Sequence, residues 1–258
     1  KREILALDID PDVVDPDDVE TLSDILIAAV NEAIKKVDSV SEEEMAKISG
    51  KTTDIPFITE RKEAIEKGYQ ALWTEDGFKS EDAKNPDDRA NALAVLSGLA
   101  EKEQYETIKN VLTTTQNSSP YMEYYVLEAL CKMEKYEAAR DRIKDRYNDM
   151  MCEDYSTLWE FWDSWRGTRN HAWSGGPLVI MSKHFAGITP IEAGYEKVKI
   201  DPQYDLYDNM SCTVPSVKGL ITLNYGKTDK HTINLTLPQD TNAVLYVPAG
   251  AVVNINSA

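Results

Sequence analysis

A change of hydrophobic period near residue 187 constrains this chain more than any other feature. Between about 56 and 187, apolar residues return every three to four positions. From 188 to 258 they alternate with polar ones. The first pattern paints a stripe along a helix, and the second paints one face of a strand. One layer cannot satisfy both, so the chain reads as mainly α followed by all-β.

The helical period runs over 57–73, 87–100, 101–115, 119–134, 135–150, 155–165 and 172–186. The breaks between these segments, such as "TEDGFKSEDAKNP", "QNSSP", "CEDYS" and "RGTRN", are short and polar. Short links pack successive helices as antiparallel neighbours. Pro86 and Pro120 end two of the breaks, where a helix can restart. "NPDDRANALAVLSGLA" and "NSSPYMEYYVLEAL" are apolar nearly all round and read as inner helices. "EKEQYETIKNVL" and "KYEAARDRIKDRY" are half charged and read as outer ones. Alternating inner and outer helices predict a partial (α/α)6 toroid of helical hairpins. Beyond it, "EKVKID", "MSCTVPS", "GLITLNYG", "KHTINLTLP" and "NAVLYVPAG" predict a C-terminal antiparallel β-sandwich. "GITPIEAGYEK" is the hinge between them.

Residues 1–50 have a third texture. "KREILALDID" alternates like a strand. Asp15 then serves as an N-cap with Pro16 at the first helical position. The stripe from Val19 to Val40 extends toward Ile48. At about 1.5 Å per residue this is a helix of about 50 Å, which one strand cannot cover. The expected divisions are therefore 1–50, 56–187 and 188–258.

Hydrophobic residues make up 42% and charged residues 28% of the 258, which suits a folded globular chain. No apolar run reaches the ~20 residues of a membrane span, so no membrane partner is expected. A net charge of −17 disfavours anionic membranes and nucleic acid. Cys131, Cys152 and Cys212 have no metal-ligand spacing and read as small buried hydrophobes. No metal and no cofactor is expected. A start at Lys1 without Met reads as a fragment or a processed chain, which leaves the compartment open.

Chemistry concentrates in "STLWEFWDSWRGTRNHAWSGGP", residues 156–177. This stretch holds Trp159, Trp162, Trp165 and Trp173, four of the five tryptophans, and one of the three histidines. In a toroid the inner-helix starts share one rim. That rim would carry Asp87, Asp88, Arg89, Ser118, Ser119, Tyr121, Glu123, Trp159, Glu160, His171 and Trp173. Loops on a rigid scaffold commonly carry function. Aromatic faces stack on the C–H faces of a sugar ring, while carboxylates and Arg bind its hydroxyls. Glycoside hydrolysis commonly uses two carboxyl groups. Glu160, between Trp159 and Phe161, is the foremost candidate, with apolar neighbours expected to raise its pKa. Plainer readings stand beside these. Tryptophans at i, i+3, i+6 also make a core stripe, which composition alone favours. His171 also reads as a structural histidine, and Asp87, Asp88 and Arg89 as an ordinary helix-start ion pair.

Residues 156–203, "STLWEFWDSWRGTRNHAWSGGPLVIMSKHFAGITPIEAGYEKVKIDPQ", resemble the closing part of the catalytic domain of α-L-rhamnosidases. The Thr-Leu-Trp-Glu element, the Asn-His-Ala with its glycines and the strand that follows carry the likeness. "DDRANALAVLSGLA" and "NSSPYMEYYVLEALCKM" resemble two preceding helices, so the resemblance covers about 56–258. It implies the second half of an (α/α)6 toroid plus a β-domain, and an inverting hydrolase of terminal α-L-rhamnosyl groups. By resemblance Glu160 activates water, His171 lines the sugar subsite, and Trp173, Asp88 and Arg89 are further transfers; Trp159 and Tyr121 join them as substrate-binding positions from the rim reading. The family's general acid lies earlier in the toroid, and nothing here matches it. The chain alone is therefore expected to be inactive or nearly so. A non-catalytic carbohydrate-binding or scaffold module is the alternative.

Residues 1–50 are similar instead to the last strand and long C-terminal helix of YbaB-type nucleoid-associated proteins. The Ile-Asp-Pro, the acidic helix start and "AAVNEAIKK" carry this likeness. Such proteins are dimers that bind DNA. With 5 Lys and Arg against 14 Asp and Glu, a net of −9, the segment is not expected to bind nucleic acid. Two family likenesses meeting near residue 51 suggest a chimera. Association through the N-terminal helix, or through an exposed toroid face, is expected to favour a homo-oligomer.

Overall fold

The computed structural model describes residues 55–151 and 155–257, so the strand and long helix expected over 1–50 lie outside the described residues. The described residues hold six α-helices followed by sheets, with a small hairpin near the start. None of these helices is long and apolar enough to cross a membrane. The chain divides into two compact units between Asn117 and Ser118.

The first unit contains α1 (Ile55–Gln70), strands β1 (Trp73–Thr74) and β2 (Gly77–Phe78), α2 (Asp88–Ser97) and α3 (Tyr105–Thr114). The break "TEDGFKSEDAKNP" thus begins with all of a tight hairpin but Trp73, rather than plain loop. Asp87 caps α2, accepting the Arg89 N–H at 2.8 Å, and Gly98 closes it in the left-handed region at φ 82°. Ala92, Leu93, Ala94, Val95 and Leu96 are all buried, as an inner helix requires. By contrast, α3 buries Ile108, Val111 and Leu112 on one stripe. Asn91 fastens the hairpin to α2. Its amide exchanges two hydrogen bonds with the Phe78 backbone, both 2.9 Å.

The second unit begins with α4 (Pro120–Lys132) and α5 (Tyr136–Arg146). Ser119 caps α4 and Pro120 opens it. Met122, Val126, Leu127, Ala129 and Leu130 are buried, so α4 is inner, while α5 buries little beyond Ala139, Arg142 and Ile143. The helix expected over 155–165 does not form. That segment is an irregular loop, because its backbone groups pair across the loop instead of with the next turn. A short helix, α6 (Gly176–Ile180), runs straight into a π turn, Met181–Phe185.

Strands β3 (Ile188–Pro190), β4 (Lys197–Ile200) and β8 (Asn242–Leu245) form one sheet. Strands β5 (Asn209–Ser216), β6 (Gly219–Lys227), β7 (His231–Leu237) and β9 (Val252–Ser257) form the other. The expected antiparallel sandwich is refined in one respect. β4 runs parallel to β8, with Val198 opposite Ala243, and β7 runs parallel to β9, with Ile233 opposite Val253. Ile188, Val198 and Ile200 from the first sheet meet Ile221, Leu223, Ile233 and Leu235 from the second in one core. Each fully buried side chain of this size contributes roughly 1.5–3 kcal/mol. At the junction of helix and sheet, Gly187 sits at φ 66°, where a Cβ would lie 2.0 Å from the Asp201 carbonyl oxygen. Only glycine fits there. The Asp201 N–H donates to the Gly187 carbonyl at 3.2 Å, and the Gln203 N–H to that of Phe185 at 2.9 Å.

Candidate functional site

The tryptophan-rich stretch closes on itself through its backbone. The Glu160 N–H donates to the Thr168 carbonyl at 2.9 Å, and the His171 N–H to the Leu158 carbonyl at 3.0 Å. Ser174 Oγ donates to the Trp159 carbonyl. The loop is also pinned from outside. Trp162 Nε1 donates to the Ser118 carbonyl at 2.7 Å, and the Arg146 guanidinium lies 4.1 Å over the Trp162 ring.

This closure places Glu160 beside His171. Glu160 Oε2 accepts the Thr168 backbone N–H at 2.8 Å and the Thr168 hydroxyl at 3.1 Å. Thr168 Oγ1 is also 3.0 Å from His171 Nδ1, which lies 3.7 Å from Glu160 Oε2. Glu160 Oε1 has no hydrogen-bond partner among the described residues, and the side chain is one-fifth exposed. Gly167 makes the cradle possible. It sits at φ 59°, and a Cβ there would lie 2.6 Å from Glu160 Oε2 and 2.7 Å from the Phe161 ring.

An aromatic wall stands next to the carboxylate. His171 and Trp173 pack with ring centroids 3.9 Å apart, and Tyr121 meets Trp173 at 5.6 Å. Trp173 Nε1 donates to the Glu160 carbonyl at 3.3 Å. Tyr121 and Trp173 keep 37% and 39% of their surface exposed, so the wall is open to a ligand.

The structure thus brings Glu160, His171, Trp173 and Tyr121 together in one unit. Glu160 lies in the loop, and His171 leads into a 3-10 turn at Ala172–Gly175. Trp159 is placed differently. It is buried with Tyr147 and Met150, so its ring is core and not sugar platform. Asp88 and Arg89 belong to the other unit and are buried there, with Arg89 Nη2 2.9 Å from Asp87 Oδ2. Burial opposes the effect, but the Arg89 hydrogen bonds hold Asp87 below the usual carboxylate range. Glu123, another expected rim residue, is fully buried. It is bonded to Arg142 Nε at 2.5 Å and to the Ser118 hydroxyl, with Arg146 Nε at 3.6 Å. Sequence reasoning does not single out Thr168 or Gly167. Their only signal is a Gly-Thr pair following the glutamate within the break "RGTRN".

A second ionic cluster joins α4 to the π turn. Glu128 Oε2 lies 2.8 Å from His184 Nε2, and Oε1 pairs with Lys183 Nζ. Burial pushes the Glu128 carboxyl up, but hydrogen bonds from His184 and Lys183 outweigh it and hold the group at about 2. Cys131 nearby is buried, which pushes its thiol up to about 12. Among the described residues no cluster of His, Cys, Asp and Glu could hold a metal ion.

Residues 187–258 match the family described as the bacterial alpha-L-rhamnosidase C-terminal domain. The fold of the described chain is that of solved α-L-rhamnosidases. The GH78 family rhamnosidase of Bacillus sp. GL1 superposes with a TM-score of 0.65 at 22% identity, covering 83% of this chain and 25% of the other. The α-L-rhamnosidase of Dictyoglumus thermophilum gives 0.65 at 19% identity, with 83% and 26% covered. Residues 1–52 match a different family, described as the YbaB/EbfC DNA-binding family. A nucleoid-associated protein of Caldicellulosiruptor saccharolyticus is 58% identical over 50 residues, which are 19% of this chain and 44% of the relative. The chain therefore carries two segments that match different families. It spans less than half of that relative and about a quarter of each rhamnosidase.

The N-terminal match corrects one expectation. The absence of a nucleic-acid partner was inferred from a segment charge of −9, the sum of 5 basic and 14 acidic residues. That inference is overturned by the match to a DNA-binding family. A net charge sums over every face of a segment, whereas phosphate is met by a local patch. The segment is also under half of the relative's length, so its own charge does not represent the relative's surface.

Proposed function

We propose that this chain carries part of an inverting glycosidase site for a terminal α-L-rhamnosyl group. In this reading, 56–187 is the second half of an (α/α)6 toroid and 188–258 its C-terminal β-domain. The observation that carries the proposal is the half-satisfied carboxylate. Glu160 Oε2 is clamped by Thr168, while Oε1 is unpartnered beside an exposed aromatic wall. A carboxylate so held can accept a proton from a water attacking the anomeric carbon. His171 and Trp173 bind the sugar, His171 to a hydroxyl and Trp173 to a ring face, with Tyr121 extending the wall. Inversion needs a second carboxyl, roughly 6.5–9.5 Å away, to protonate the leaving oxygen. The reading assigns no such acid to this chain, so the chain binds rhamnose and turns over little or nothing.

Calorimetric titration with L-rhamnose tests this. Binding that Trp173→Ala abolishes supports the reading, and no binding overturns it. An aryl α-L-rhamnoside assay tests the missing acid. Substantial turnover would show that the acid is present, and loss of that turnover in Glu160→Gln would keep the base assignment.

A second reading concerns the N-terminal segment, favoured by its 58% identity to a nucleoid-associated protein. Residues 1–52 contact DNA. A gel shift with duplex DNA at low salt, weakening steeply as salt rises, is the expected result. No shift at about 50 mM salt would rule this reading out.

A further inference from the structure

We infer that Thr168 is a positioning residue that sets the tautomer of His171, so that the ring offers Nε2 to its ligand as a hydrogen-bond acceptor. The identity of the ligand rests on the sugar reading above, while the tautomer rests on the hydrogen bonds alone.

A threonine hydroxyl has one proton to give and lone pairs to receive. Thr168 Oγ1 donates its proton to Glu160 Oε2 at 3.1 Å. The same carboxylate oxygen already accepts the Thr168 backbone N–H at 2.8 Å. With its proton committed, Oγ1 can only accept at its second contact, the 3.0 Å approach of His171 Nδ1. Nδ1 must therefore carry the imidazole proton. Glu160 Oε2 lies 3.7 Å from Nδ1, too far to accept that proton directly, so the hydroxyl is the group that decides. In the neutral ring the proton on Nδ1 leaves a lone pair on Nε2. Nε2 has no hydrogen-bond partner among the described residues, and packing against Trp173 at 3.9 Å fixes the plane in which its lone pair points.

The chain Glu160–Thr168–His171 thus fixes hydrogen-bond polarity. The carboxylate dictates the direction of the threonine hydroxyl, and the hydroxyl dictates the ring. The selected ligand group is one that donates to Nε2, as a sugar hydroxyl does. A group that can only accept, such as an ether oxygen, is refused at this nitrogen.

Nitrogen-15 spectra of the imidazole side chains in the full chain test this, with His184→Gln and His231→Gln assigning the signals. The neutral His171 ring is expected to carry its proton on Nδ1 in the wild type and in Thr168→Ser. In Thr168→Val, which keeps the shape and removes the hydroxyl, the proton moves to Nε2. A wild-type proton on Nε2, or an unmoved proton in Thr168→Val, overturns the inference. Thr168→Val is expected to weaken L-rhamnose binding about tenfold, and Thr168→Ser by less than about twofold. An Nδ1 proton without rhamnose binding keeps the tautomer and overturns the sugar reading. Rhamnose binding with an Nε2 proton does the reverse.

Discussion

Glu123 and Glu160 are carboxylates of the same compact unit, and their surroundings are opposites. Glu123 is fully buried, and both its oxygens are taken by Arg142, Ser118 and Arg146. Glu160 is partly exposed, with one oxygen held by Thr168 and the other left over. The first arrangement spends all hydrogen-bonding capacity on holding α4 to α5. The second fixes an orientation while leaving capacity for something else. The difference separates a carboxylate whose oxygens are both used inside the fold from one that the glycosidase proposal assigns to a ligand.

The comparison breaks most forcefully at Glu123. Glu123→Gln leaves Arg142 buried without its counter-charge, and a loss of about 3–5 kcal/mol is expected in urea unfolding. A change below about 1 kcal/mol would place Glu123 with Glu160 instead. Next comes acid. Glu128 is held at about 2 against an ordinary 4.5, so its folded value is depressed. The stability it contributes is present above pH 4.5 and lost as the pH falls toward 2. That loss is on the order of 3 kcal/mol, and Glu128→Gln should remove it from the pH profile of unfolding.

Smaller effects belong to the clamp. Gly167→Ala forces a Cβ against Glu160 Oε2 in the left-handed region, at a cost of about 1–2 kcal/mol confined to the loop. Amide exchange at Thr168 should quicken about tenfold, and the free energy of global unfolding should fall by no more than about the same 1–2 kcal/mol. Glu160→Gln should change stability least, by under about 0.5 kcal/mol. A larger loss would mean that Glu160 is a structural residue after all.

The sequence made some of this legible, for local reasons. Pro120 was readable as a helix restart and opens α4, whereas after Pro86 the helix starts only at Asp88, with Asp87 and Arg89 paired as the plainer reading had them. The switch of period at 188 marks the start of the sheets because alternation is a property of neighbouring residues. The loop at 155–165 was not legible, since tryptophans at 159, 162 and 165 imitate a helical stripe. Its real bonds join Glu160 to Thr168 and Leu158 to His171, which no local pattern announces. The parallel pairings were hidden for the same reason, with Val198 meeting Ala243 far along the chain. Within the site, Glu160, His171, Trp173 and Tyr121 were readable as rare residues in one stretch or at one helix start. Thr168 and Gly167 were not, because their roles depend on where a carboxylate oxygen falls in space. Trp159 was named as a substrate-binding position although its spacing also read as a core stripe, and the structure buries it with Tyr147 and Met150.

The junction at Gly187 separates two ideas of what a domain is. The family match begins at residue 187, one residue before β3. Physically, the helix and the sheet are stitched there backbone to backbone, from Gly187 to Asp201 and from Phe185 to Gln203, inside one compact unit. A seam without side chains has no slack to give. Cutting the chain at residue 187 would sever the Phe185–Gln203 link while keeping Gly187 against Asp201, so the stretch that matches the family is only part of the unit that packs together.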